Sequence, residues 1–106
     1  MDDKQRSELV RMGWEIHGAV EESYHAHPAG KGDGAAWLDK QRLLLADMAI
    51  HLLQTAVAPG DIALEKLRNN LNAILVVADR FLPDAALRNA AEKLYPASDR
   101  GDAGPG

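Results

Sequence analysis

The chain has 106 residues, 46% of them hydrophobic, with a net charge of −4 and no cysteine. That length suits a single domain built on one core, and the lack of thiols excludes a disulfide framework and a thiolate metal site. An acidic chain without a basic stripe is poorly suited to gripping a phosphate backbone, so nucleic acid is not expected as a partner.

A first helix is expected from Lys4 or Ser7 to His25 or His27. Pro28 ends it, because the residue before a proline avoids the helical conformation. Leu9, Met12, Ile16, Ala19 and Val20 fall on one stripe at three-to-four spacing and read as the core face, with Ser23 continuing it as a small residue at the helix contact. Residues 1–27 carry six acids against three bases, a local charge of −3. The linker Pro28–Gly34 contains Gly-Lys-Gly-Asp-Gly. It lacks the spacing of a phosphate-binding loop and no strand precedes it, so it reads as an inter-helix connection.

The second helix is expected over Ala35–Ala58. From Trp37 to Val57 it is apolar around most of its circumference, which marks it as the central helix. Lys40, Asp47, His51 and Gln54 make one narrow polar strip, read as its outward side. The same polar residues interrupt every long apolar run, so no membrane span is expected. Pro59-Gly60 stops the helix, and Asp61 is expected to cap the next one. So short a link makes these two helices an antiparallel hairpin.

A third helix is expected from Ile62 to Leu82, with Leu64, Leu67, Leu71, Ile74, Leu75 and Ala78 as its core stripe. Ile62, Ala73, Val76 and Val77 form a second apolar strip and are the candidates for self-association, as a homodimer. On that reading, Val76→Glu with Val77→Lys would give a folded monomer. A short fourth helix is expected from Asp84 to Leu94, with Leu87, Ala90, Ala91 and Leu94 inward. Beyond Pro96 there is no periodicity, which predicts a disordered tail. The expected architecture is therefore all-α: an antiparallel bundle of three longer helices and a short fourth in one domain, 1–95, followed by the tail 96–106.

Chemistry is sparse. His17, Glu21 and His25 lie at successive four-residue spacing along one edge of the first helix, with His27 close by. Imidazole and carboxylate suit Zn²⁺ or Ni²⁺, so this edge is the alternative reading, a metal- or small-ligand-binding bundle. Glu22 and His25 match the Glu-x-x-His spacing of di-iron bundles, but the second motif and the further carboxylates are missing. Solvated His and Glu residues on a helix are far commoner than ligands, so no metal or cofactor is expected. Ser7, Ser23, Thr55 and Ser98 are the only aliphatic hydroxyls, and no nucleophile elbow can be read, so no enzymatic activity is expected.

Trp14 falls outside the apolar stripe, beside Arg11, Gly18 and Glu21. With Glu15, Glu21 and Glu22 it forms the candidate partner surface: an aromatic anchor rimmed by acids that would attract a basic protein. The expected function is non-enzymatic protein binding through an acidic first helix. Adaptors, immunity or antitoxin-like proteins and phage-type inhibitors such as anti-CRISPRs are small acidic helical proteins of that kind. The opening Met-Asp-Asp-Lys-Gln-Arg is unlike a secretory leader, which makes a cytoplasmic location the expectation.

Overall fold

The computed structural model describes residues 1–95 and is all-α. Three long helices, α1 (Asp3–Ala26), α2 (Ala35–Val57) and α3 (Leu64–Ala78), are followed by a 3₁₀ turn at Pro83–Ala85 and a short α4 (Leu87–Glu92). The tail expected to be disordered, 96–106, lies outside the described residues. Among the described residues, no helix is long and apolar enough to cross a membrane.

Each boundary has a local cause. Asp2 accepts the Gln5 N–H at 2.7 Å while the Gln5 side chain accepts the Asp2 N–H at 2.9 Å, a reciprocal cap that satisfies two otherwise free donors of α1. At the other end, His27 is extended ahead of Pro28. Gly34, at φ +57°, turns the chain into α2. Asp61 does not cap α3: the capping position falls to Ala63, and no side chain bonds there. The third helix also stops at Ala78, earlier than its apolar pattern suggests, and tightens into a turn through the Phe81 N–H to Ala78 carbonyl bond.

The expected fourth helix is split. Pro83 opens the 3₁₀ turn, Ala86 then adopts the left-handed conformation at φ +55°, and only after it does α4 begin. A Cβ is disfavoured at such an angle. Ala86→Gly is therefore expected to raise stability by about 0.5–1 kcal/mol, read as a higher thermal midpoint. A lower midpoint would refute the left-handed assignment.

The helices run antiparallel in sequence order: α1 packs on α2, α2 on α3 and α3 on α4. Arg6 lies beside Val57 and His27 beside Asp39, whereas Thr55 meets Asn70 and Gln41 meets Arg80. The bundle is flattened, 43 × 42 × 19 Å, with α2 at its centre as its sequence implied.

The buried interior differs from the expected stripes. Among the described residues, Ala29, Val77 and Ala91 are the buried apolar residues, and no large side chain is fully enclosed. Two glutamines are buried instead: Gln54 donates to the Val10 carbonyl at 2.7 Å, and Gln41 accepts from Arg80. On α1 the covered stripe is Arg6, Val10, Gly13, His17, Val20 and Tyr24, itself a regular three-four pattern. Met12 and Ile16, placed in the core by sequence, are 45% and 54% exposed; Ala19 and Ser23 are exposed as well. The reason lies on α2, whose polar strip turns toward α1 and selects the α1 stripe that carries His17 and the open space of Gly13. Val77 is buried within one chain while Ile62 is exposed, so the four residues assigned to self-association do not form one free strip; Ala73 and Val76 are half-buried.

Candidate functional site

The side chains with chemical potential meet at mid-height between α1 and α2. His17 projects from the covered stripe of α1, and Asp47 and His51, one turn apart, project from α2 toward it. The Nε2 atoms of His17 and His51 are 3.1 Å apart. Asp47 Oδ1 is 2.7 Å from His17 Nε2, and Asp47 Oδ2 is 3.9 Å from His51 Nε2. Only 14–15% of the Asp47 and His17 side chains is exposed. This corrects the outward placement of Asp47 and His51: the strip faces polar partners, so being polar does not send it to solvent.

Trp14 covers the pair. Its ring stands edge-to-face against both imidazoles, with centroids 5.1 Å from His17 and 5.6 Å from His51. It remains 47% exposed. Beside it, α1, α2 and α3 enclose a groove of about 540 Å³, lined among others by Trp14, His51, Thr55, Lys66 and Asn70.

The histidine edge proposed from α1 alone is not assembled. Glu21 Oε2 lies 3.5 Å from His17 Nε2, but His25 is 70% exposed, approaches Glu21 at 3.8 Å and packs edge-on against Tyr24. His27 pairs with Asp39 at 3.2 Å, away from the cluster. Among the described residues, His17, Asp47 and His51 form the one group able to converge on a metal ion.

The partner residues expected on α1 also separate. Helical phase sets Trp14 and Glu21 on the flank of the histidines, and Glu15 and Glu22 on the other side, in a column with Glu8. Arg11 bridges Glu8 and Glu15. The hydrogen bond from Arg11, then its charge, holds the Glu8 carboxyl below its ordinary range, and Glu8 and Glu15 raise the Arg11 guanidinium in turn. Next to this column runs an apolar ribbon at three-four-three spacing, half-buried at Leu9 and exposed at Met12, Ile16 and Ala19. Near the N-terminus, Leu9 and Glu8 line a shallow recess of about 670 Å³ with Met1, Lys4 and Gln5. No protein-family model, curated protein or solved structure matches this chain.

Proposed function

We propose that this protein is a non-enzymatic binding module, and that its docking surface is the outward face of α1. The observation that carries the reading is the exposure of Met12 and Ile16, consecutive members of an apolar ribbon on a helix whose other face is already covered. An apolar ribbon of three-four spacing is the pattern by which helices pack. Glu8, Glu15 and Glu22 border it at seven-residue spacing; Arg11 offsets one of the three charges, which leaves the border acidic, and no Lys or Arg occurs between Met12 and His27. Such a border favours a helix of opposite charge pattern, with an apolar seam and a basic flank. A second copy fits less well, since antiparallel pairing of two such ribbons would set glutamates against glutamates. The partner is therefore a different, basic protein, and a homodimer is the weaker alternative.

The test is affinity capture with the full chain and with Met12→Asp/Ile16→Asp as baits. Both positions are exposed, so the variant is expected to keep its helicity. It should lose a basic helical partner by about 2 kcal/mol, near 30-fold. Reversing Glu15 and Glu22 to Lys should chiefly slow association, with an effect that fades at high salt. Equal capture by both baits would refute the assigned surface.

A further inference from the structure

The cluster between α1 and α2 does something that the docking face does not require. His17 Nε2 confronts two acceptors at once: His51 Nε2 at 3.1 Å and Asp47 Oδ1 at 2.7 Å. A single N–H between the two rings, directed along the ring-to-ring contact, is turned away from Asp47. Asp47 Oδ1 is left buried with no hydrogen bond. Gln54 Oε1 shares that condition, but it is neutral. A buried carboxylate oxygen without a well-directed donor is far costlier, because its charge has given up water. One N–H gives at most one of the three atoms a donor of its own, whereas a cation lets each offer a lone pair to the same point.

We propose that His17, Asp47 and His51 form a binding site for one divalent transition ion of the Zn²⁺ type, clamping α1 to α2. The donor set fits that class: two imidazole nitrogens and one carboxylate oxygen are borderline ligands, whereas Mg²⁺ and Ca²⁺ call for oxygen cages. Spacing fits as well. Metal–ligand bonds of about 2.0–2.1 Å in a tetrahedron put ligand atoms roughly 3.3 Å apart, and the donor atoms here lie within 4.8 Å of one another, the closest two pairs at 2.7 and 3.1 Å. Both helices supply their ligands from mid-length, where backbone hydrogen bonds hold the side chains in place. Glu21, with Oε2 3.5 Å from His17 Nε2, is the nearest further carboxylate for a fourth position. Trp14, packed edge-on against both rings, restricts solvent and reports on the site by its fluorescence.

The experiment uses the full chain stripped with a chelator and dialysed. Titration with Zn²⁺ by calorimetry is expected to give one equivalent per chain, a change in Trp14 emission and a thermal midpoint that rises with free Zn²⁺. Titration with Co²⁺ should produce the visible absorption of a low-symmetry, four-coordinate site. Asp47→Asn, which keeps shape and removes charge, and His51→Gln should each weaken Zn²⁺ binding by about 100-fold or more while the metal-free helicity stays unchanged. His25→Gln should bind as the unaltered chain does. Equal affinity in Asp47→Asn and His51→Gln, dependence on His25, or no saturable binding in the unaltered chain would each overturn the assignment.

Discussion

Val77→Asp is expected to abolish cooperative folding. Val77 is 5% exposed, and no larger apolar side chain among the described residues is more deeply enclosed. An unpaired carboxylate there would cost at least about 3 kcal/mol, a large share of the stability of a domain this small. The half-buried neighbour Val76 serves as the control, since Val76→Asp should lower the midpoint by much less. Circular dichroism melts of the two variants check this. A Val77→Asp protein melting within about 1 kcal/mol of the unaltered chain would show that the interior lies elsewhere. The same measurement separates two readings of helix three, because a strip reserved for self-association would accept charge at position 77 and yield a folded monomer.

The second large effect is expected at Gly13. A Cβ built there would stand 2.5 Å from Gln54 Oε1 and 2.8 Å from its Cδ. Relief requires the Gln54 amide to leave the Val10 carbonyl, or α1 to move off α2. Gly13→Val should therefore cost about 2–4 kcal/mol, from overpacking and a displaced buried amide. Shortening the opposing residue tests the cause. In Gly13→Val/Gln54→Ala the clash has no second partner, so the double variant should lose less than the two single losses combined, by roughly 1–2 kcal/mol. Losses that add to within about 0.5 kcal/mol would mean that the two residues do not meet.

Helix number, order and approximate ends were legible because prolines, glycines and apolar spacing act locally. Pro28 and Pro59 stop helices whatever packs around them. The faces were less legible. A helical wheel fixes the angle between residues but not which side a neighbour occupies, and α1 carries two competing stripes, Leu9–Met12–Ile16 and Val10–Gly13–His17. Greater hydrophobicity favoured the first, whereas the polar strip of α2 decided for the second. Two signals were present all the same. His17/Glu21 and Asp47/His51 are both histidine–carboxylate pairs at four-residue spacing. An antiparallel hairpin turning at 27–34 sets His17 opposite the stretch containing Asp47 and His51. The break at Ala86 had no such signal, since alanine ordinarily continues a helix.

Gln54 and Gln41 have a consequence that stability alone does not express. They leave α2 toward different neighbours and near opposite ends, one bonded to the Val10 carbonyl of α1 and the other to Arg80 beyond α3. Leucine and alanine surfaces are nearly interchangeable from turn to turn, so apolar packing alone would let α2 slide one turn past either neighbour at little cost. Each slip would strand a buried amide, and the two amides together act as a two-point key that fixes alignment. Exchanging leucines for other aliphatic residues should then leave one set of sharp resonances. Replacing both glutamines with leucine should keep the helices but blur the spectrum, as several alignments of the same bundle come to coexist.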